Sequence, residues 1–208
     1  MKTRILLARH GATVFSAQER FAGATDIDLS DDGRELARKL GERLANVKID
    51  AFYCSDMKRT IQTAELVAKP HGAKPVANPG LREIDHGTWE GLIHTDVEKE
   101  FPDQYAAWIA DPFNVAPPGG ETGLHVLARA LPALRQIVIE HQGQTVFVAA
   151  HKATNRLLLC SIMGIDPRFY RERVAQDLAC LNILDFKDSS HAEAILLNDI
   201  SHYGTPFD

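Results

Sequence analysis

Arg4-Ile5-Leu6-Leu7-Ala8-Arg9-His10-Gly11 is the stretch that decides the fold of this chain of 208 residues. Its apolar run predicts a buried first strand over 4–8, because short apolar runs that end at a turn signal are typical of strands covered on both faces. The strand stops at a cation, an imidazole and a glycine, which together suit an anionic substrate and a histidine nucleophile. The tripeptide alone is an ordinary turn, so its meaning depends on partners elsewhere in the sequence.

Apolar runs and helical patterns alternate along the rest of the chain, which predicts one α/β domain over 1–208 with a mainly parallel sheet. The expected strands cover 4–8, 51–54, 75–78, 145–150, 180–186 and 192–198. The expected helices cover roughly 31–44, 57–68, 94–109, 121–141 and 152–163. The segments 81–92 and 112–120 contain glycines and prolines without a clear period, so we expect them to be loops.

Composition limits the classes of function. Hydrophobic residues make up 45% and charged residues 25% of the chain, as in ordinary globular proteins. No apolar run approaches the roughly 20 residues that cross a bilayer, so the sequence predicts no membrane role. The apolar run after the basic start is too short for a secretory signal, so we expect a cytoplasmic protein.

Charge and cysteine content narrow the partners. A net charge of −5 argues against a nucleic-acid-binding surface, which usually carries a basic excess. It does not argue against a small phosphorylated metabolite, because a few clustered cations can bind one phosphate. Cys54, Cys160 and Cys180 form no CxxC pair, which favours neither a disulfide framework nor a zinc site.

Four polar residues lie where predicted strands end. Arg9 and His10 follow the first strand, Arg59 lies in the first turn after the second, and His151 follows the strand over 145–150. Ligands of parallel sheets bind beyond the carboxyl ends of the strands. The sequence therefore places these four side chains on one rim.

This set of residues suits a phosphoryl group. Arginines offer planar charged forks for its oxygens, and we expect the helix starts near Asp56 and Lys152 to add amide donors. A neutral histidine can attack phosphorus, and neighbouring arginines would disfavour protonation of His10. Either Glu83 or Asp85, on the predicted loop, could protonate the leaving oxygen.

The candidate residues belong to a longer series of motifs. In chain order these are Arg9-His10-Gly11, Gly23 and Asp26 before Leu29-Ser30, Ser55-Asp56-Met57-Lys58-Arg59-Thr60 with Thr63, Leu81-Arg82-Glu83 with Gly87-Thr88-Trp89-Glu90-Gly91, Gly119-Gly120-Glu121-Thr122, and His151. Over roughly residues 4–186 the chain thereby resembles the histidine phosphatase superfamily, in its phosphoglycerate-mutase-like branch.

The resemblance implies a three-layer α/β/α sandwich with a mainly parallel central sheet. It also implies that a histidine is phosphorylated and then hydrolysed, without a metal or an organic cofactor. By its motifs, the resemblance assigns His10 as the nucleophile, Glu83 as the proton donor, and Arg9, Arg59 and His151 as ligands of the phosphoryl group. It further implies that Gly23 and its neighbours line the substrate side through backbone amides.

Three departures from the family pattern bear on the substrate. Ala12 and Ser16 replace the usual Glu and Asn of the first motif, so Ser16 becomes a candidate substrate contact. Lys152 stands where the family commonly has Gly, and a cation there would favour a second anionic group such as a carboxylate. His86, beside the proposed acid, is either a substrate contact or a histidine without a special role.

The predicted function is metal-independent hydrolysis of a small phosphomonoester through a phosphohistidine. The motifs are compatible with several substrates. These are phosphoserine or another phosphate ester that carries a carboxylate, a sugar phosphate, and α-ribazole phosphate. One alternative is a phosphoglycerate mutase, which is disfavoured because only 201–208 follow the last predicted strand and a covering tail is therefore short. Another is a regulatory protein that binds a phosphorylated ligand without turnover. The sequence leaves open whether the chain forms a homodimer.

Overall fold

The computed structural model describes residues 1–204, except for the side chain of Ala17. The strands are β1 (Thr3–Arg9), β2 (Ala51–Cys54), β3 (Val76–Ala77), β4 (Thr145–Ala150), β5 (Leu181–Phe186) and β6 (Ala192–Asp199). The α-helices are α1 (Val14–Ala17), α2 (Asp31–Leu44), α3 (Lys58–Ala68), α4 (His94–Glu100), α5 (Pro102–Ala110), α6 (Gly123–Glu140), α7 (Lys152–Met163) and α8 (Tyr170–Arg173). Short 3-10 helices cover Lys69–His71, Pro79–Leu81, Gly87–Trp89 and Pro167–Phe169.

The strands form one sheet in the order β3-β2-β4-β1-β5-β6. Strands β3, β2, β4 and β1 are parallel, whereas β5 is antiparallel to β1 and forms a hairpin with β6. The predicted mainly parallel sheet is confirmed. The parallel register places Arg9 beside Ala150 and Cys54 beside Ala149, so the carboxyl ends of three strands meet at one edge.

Two hydrophobic cores cover the two faces of the sheet. Ile5 and Leu7 of β1 pack into the core beneath α6 and α7. Leu6 and Ala8 point the other way, into the core beneath α2 and α3. Each fully buried aliphatic side chain of this kind stabilises the fold by about 1.5–3 kcal/mol. The alternation explains why β1 is continuously apolar, and it confirms the three-layer α/β/α sandwich.

Local sequence signals account for most helix boundaries. The Ser30 hydroxyl accepts a hydrogen bond from the Gly33 amide at 3.1 Å and caps α2, as its sequence position predicts. The helical segment expected after His94 divides into α4 and α5 at Phe101-Pro102. Strand β1 extends through Arg9, one residue beyond the prediction.

A third apolar cluster lies beside the carboxyl edge of the sheet. It joins Phe21 to Trp89, Val97 and Trp108, and the partly buried Phe101 packs against it. The cluster anchors α4 and α5 as a wall beside that edge. No helix in the described part of the chain is both long enough and apolar enough to span a membrane.

Candidate active site

A cavity of about 880 Å³ lies at the carboxyl ends of the parallel strands. The predicted residues Arg9, His10, Arg59 and Glu83 line its inner end, next to the buried His151. These five residues are called the inner site below. Lys152, Arg156 and Arg171 also line the cavity and are called the outer cluster.

Backbone contacts fix His10 at the end of β1. Its amide donates to the Ala150 carbonyl at 3.1 Å, and its carbonyl accepts from the Ala179 amide at 3.1 Å. The next residue must be glycine, since a Cβ on Gly11 would lie 2.3 Å from the Gly33 carbonyl oxygen. The close approach of β1 to the start of α2 thus explains the glycine after His10.

The tautomer of His10 follows from its hydrogen bond. Its Nδ1 lies 2.7 Å from the Gly11 carbonyl oxygen, which can only accept, so Nδ1 carries the proton. The lone pair is then on Nε2, and the ring lines the cavity. Burial, followed by the charges of Arg59 and Arg9, holds the pKa of His10 well below 6.5. The ring is therefore neutral near pH 7, as a nucleophile requires.

The partner of His151 fixes its tautomer in the opposite sense. The Arg59 Nε, which can only donate, lies 3.2 Å from the His151 Nδ1. The proton of the neutral ring is therefore on Nε2, a buried atom without a hydrogen-bond partner among residues 1–204. Burial and the charge of Arg59 keep the pKa of His151 well below 6.5. This buried donor can bind a phosphoryl oxygen.

Arg59 is 1% exposed and is held from three sides. Besides His151, its Nη1 donates to the Thr25 carbonyl at 2.9 Å and its Nη2 to the Gly23 carbonyl at 2.8 Å. A guanidinium has five N–H donors, so each Nη retains one for an anion. The segment 23–25 therefore sets the direction in which Arg59 points.

Glu90 organises that segment. Its carboxylate accepts the amides of Gly23 at 2.9 Å, Ala24 at 3.0 Å and Thr25 at 3.1 Å. It also accepts the His86 amide at 3.0 Å. The amide of Gly23 is thus engaged by Glu90, its carbonyl positions Arg59, and its neighbour Ala22 lines the cavity.

Glu83 lies at the start of α7. Its carboxylate accepts hydrogen bonds from the backbone amides of Ala153 at 3.1 Å and Thr154 at 3.2 Å. It also accepts one from the amide of the next residue, Ile84, at 2.9 Å. The expectation that the start of α7 offers its amides to phosphate is therefore wrong for these two amides, since Glu83 occupies them. At the start of α3, likewise, the Lys58 amide donates to Asp26.

Arg129 and Glu121 fix the loop that carries Glu83. The Arg129 Nη2 donates to the Glu83 carbonyl at 2.8 Å, and its Nε donates to Glu121. Glu121 in turn accepts the amide of Asp85 at 3.1 Å. Asp85 accepts the Gly87 amide at 2.7 Å and does not line the cavity. The geometry thus separates two carboxylates that the residues alone left equivalent.

A buried polar network supports Arg9. Its Nη1 donates to the Gln176 carbonyl at 2.7 Å. The Gln176 side chain donates to Asn182 at 2.8 Å and accepts from Asn155 at 3.1 Å. Asn182 donates to the Leu7 carbonyl of β1 at 3.0 Å. The network joins β1, α7 and β5, and so holds the Arg9 side chain and the strand that carries it in place.

The remaining predicted contacts differ in how they face the cavity. Ser16 lines it, but its hydroxyl donates to the Thr13 carbonyl at 2.8 Å within the capping box of α1, so its proton is already engaged. His86 lines it with a ring packed 4.8 Å from that of Phe21, and its buried Nδ1 has no partner in the described chain. Lys152 is exposed at the rim.

The chain belongs to the histidine phosphatase superfamily, because the model of its branch 1 matches residues 5–199. It is 31% identical over 163 residues to phosphoserine phosphatase 1 of Hydrogenobacter thermophilus, covering 78% of this chain and 77% of that protein. It is 34% identical over 157 residues to phosphoglycerate mutase-like protein 4 of Arabidopsis thaliana, covering 74% and 68%. The solved structure of YhfR from Bacillus stearothermophilus superposes with a TM-score of 0.90 at 30% identity, covering 96% and 98%.

Sequence reasoning found the five residues of the inner site but missed several residues around them. Glu90 and Glu121 lay inside the quoted motifs without an assigned role. Arg156 was missed although it stands one helical turn after Lys152, a spacing that places both on one helix face. Arg171 had no sequence signal, because α8 is a short helix in a segment without an apolar period.

Proposed function

We propose that this protein is a phosphoric monoester hydrolase that acts on a small phosphorylated metabolite through a phosphohistidine at His10. The observation that carries the proposal is the pair of opposite tautomers. His10 keeps a lone pair on Nε2 at the cavity, while His151 keeps a buried donor on its own Nε2. One ring is prepared to attack phosphorus and the other to bind the oxygens around it.

In the first step, the His10 Nε2 attacks phosphorus and the bond from phosphorus to the ester oxygen breaks. Arg9, Arg59 and His151 hold the other phosphoryl oxygens as charge redistributes. Glu83 gives its proton to the departing oxygen, since of the two candidate carboxylates, Glu83 and Asp85, Glu83 is the one that lines the cavity. The product of this step is an alcohol and a phosphohistidine.

In the second step, water attacks phosphorus and the bond from phosphorus to nitrogen breaks. Glu83, now ionised, takes a proton from the water and returns to its starting form. His10 recovers its lone pair on Nε2. The amides of Ala153 and Thr154 hold the Glu83 carboxylate in place throughout, so one group can serve as acid and then as base.

Among substrates, phosphoserine and other carboxylate-bearing or sugar phosphates are the candidates that we propose. The similarity to a phosphoserine phosphatase supports the first of these. Phosphoglycerate mutase is the second candidate, favoured by the similarity to a mutase-like protein. The two activities differ in the acceptor of the phosphoryl group. A mutase transfers it to a hydroxyl group of the phosphoglycerate, whereas a phosphatase transfers it to water.

The proposal is tested with p-nitrophenyl phosphate in the presence of EDTA, followed by phosphoserine, phosphoglycerates and sugar phosphates. We expect release of inorganic phosphate without added metal. Interconversion of 2- and 3-phosphoglycerate faster than phosphate release would favour the mutase. Binding of inorganic phosphate without hydrolysis of any ester would overturn the proposal and favour a regulatory binding protein.

A cytoplasmic location is part of the proposal. Cys54, Cys160 and Cys180 are buried free thiols. Burial raises the pKa of Cys54 to about 12 and that of Cys160 to about 11, so these thiols are unreactive near neutral pH. Unpaired cysteines are typical of proteins in a reducing compartment.

A further inference from the structure

The lining of the cavity carries more positive than negative charges. Its lining includes the cations Arg9, Arg20, Arg59, Lys152, Arg156 and Arg171. It includes the carboxylates Glu19, Glu83 and Asp177. A phosphate held by the two arginines of the inner site leaves the outer cluster as additional positive charge. No salt bridge within residues 1–204 involves a member of that cluster.

Two members of the outer cluster share one face of α7. Lys152 and Arg156 are four residues apart, and like charges at this spacing destabilise a helix. The Nε of Arg156 is buried without a hydrogen-bond partner in the described chain. Partial loss of hydration in the cavity, followed by the charges of Arg9 and Arg156, lowers the pKa of Lys152. An anion between the two side chains would relieve both the repulsion and the unpartnered donor.

The third member, Arg171, lies on α8, which packs against α7. The Cζ of Arg171 lies 3.5 Å from the centroid of the Trp108 ring. Trp108 is 2% exposed, so its ring is a fixed platform in the wall formed by α5. A guanidinium stacked on an aromatic face keeps the N–H groups of its edge for an oxyanion. Arg171 is thus oriented without being neutralised.

We propose that Lys152, Arg156 and Arg171 form a subsite for a second anionic group of the substrate, either a carboxylate or a second phosphate. The inference rests on the proposed function, since it requires a phosphate ester in the inner site. Lys152 follows His151 directly, and Arg156 lies one helical turn further on. The outer cluster therefore begins at the residue that follows the inner site in the chain.

The experiment compares substrates that differ in one anionic group. 3-Phosphoglycerate is paired with glycerol 3-phosphate, and fructose 1,6-bisphosphate with fructose 6-phosphate. We expect the more anionic member of one pair to have a kcat/KM higher by about tenfold or more, the effect of one or two hydrogen bonds to charged groups. The pair that shows the preference identifies the second group as a carboxylate or a phosphate.

Variants then assign the preference to the residues. Lys152→Gln, at an exposed position, and Arg156→Gln should each reduce the preference severalfold. The control is Arg135→Gln, which makes the same change on an exposed part of α6 outside the cavity. An equal fall in kcat/KM for both members of a pair would overturn the subsite. So would a preference that the Lys152 and Arg156 variants leave intact.

Failure of the subsite can be told apart from failure of the proposed function. If the wild-type protein hydrolyses p-nitrophenyl phosphate but shows no preference within either pair, the subsite is wrong and the hydrolase stands. If it hydrolyses no phosphoester, the proposed function is wrong. Calorimetric titration of the same compounds into the inactive protein then measures affinity, and equal affinities within both pairs would overturn the subsite as well.

Discussion

The inner and outer ends of the cavity differ in how their charged groups are held. At the inner end, Arg59 has three protein partners and Glu83 accepts three amides, while Arg9 is held through its Nη1 and its buried Nε has no partner in the described residues. At the outer end, the buried Nε of Arg156 has no partner in the described residues, and Arg171 lies over the aromatic rings of Trp108 and Tyr170. Charged groups that the protein already holds in place need little reorganisation to stabilise the transition state. Cations without a protein partner are available to bind a further anionic group of the substrate.

The difference separates reaction chemistry from substrate choice. In the proposed mechanism the inner site contacts only the phosphoryl oxygens and the leaving oxygen, so it should treat different phosphoesters alike. The outer cluster can act only on the rest of the substrate. Substitutions at the inner end should therefore change turnover of every substrate, and substitutions at the outer end should change the order of preference.

The largest expected effect is the loss of the nucleophile. His10→Ala should lower kcat for p-nitrophenyl phosphate by about 10³-fold or more, as removal of an essential nucleophile does. Steady-state release of nitrophenolate measures this. The control is His191→Ala, at an exposed position in the β5–β6 hairpin. If His10→Ala kept a kcat within tenfold of the wild-type value, His10 would not be the nucleophile and the inner site would not carry the reaction chemistry.

A smaller effect should follow from a change behind the inner site. Glu90→Gln replaces an acceptor of several amides with a group that presents its own N–H, which releases the segment 23–25 and thus Arg59. We expect kcat/KM to fall by about 10–100-fold for both members of a substrate pair. Glu98→Gln, at an exposed position on α4, is the control. A change in substrate preference instead of a uniform loss would contradict the separation of the two ends.

The buried histidines predict a pH dependence of stability. The pKa values of His10 and His151 lie well below 6.5 in the folded protein, because of burial first and of Arg59 second. Below pH 6.5 the unfolded chain binds protons that the folded chain does not, so the free energy of unfolding falls as pH falls. The free energy of unfolding should therefore be lower at pH 5 than at pH 7, with both histidines contributing to the loss.

Urea unfolding in phosphate-free buffer measures this dependence. His151→Asn should show a smaller loss of stability between pH 7 and pH 5 than the wild type, because it lacks one of the groups whose pKa is lowered on folding. His191→Asn should keep the wild-type dependence, since that histidine is exposed. The same dependence in all three proteins would mean that His151 is protonated in the folded state near pH 6.

The sequence predicted most of the fold because the deciding signals are local. The apolar runs of β1 and β4 and the cap at Ser30 all act within a few residues, whereas the division of the segment 94–109 at Pro102 was not predicted. The antiparallel direction of β5 was not predicted, since it depends on how 164–180 returns to the sheet. The helices α1 and α8 were not predicted either, because four residues are too few to show a period.

Within the site, the residues at the strand ends could be predicted from the sequence, but the hydrogen bonds that hold them could not. Arg9, His10, Arg59 and His151 come together because parallel strands align their carboxyl ends. The capture of the Gly23 amide by Glu90, by contrast, joins residues 67 positions apart. Such contacts depend on loop geometry that local sequence does not determine, and they engage the amides of Gly23, Ala153 and Thr154 within the protein.

The central claim is most directly tested by trapping the phosphorylated enzyme. The protein is mixed with p-nitrophenyl phosphate, quenched in denaturant at alkaline pH and digested, and its peptides are sequenced by mass spectrometry. We predict one phosphoryl group on His10 that is lost on acid treatment and is absent from the His10→Ala variant. Acid-stable label on another residue, or full turnover by His10→Ala, would contradict the account.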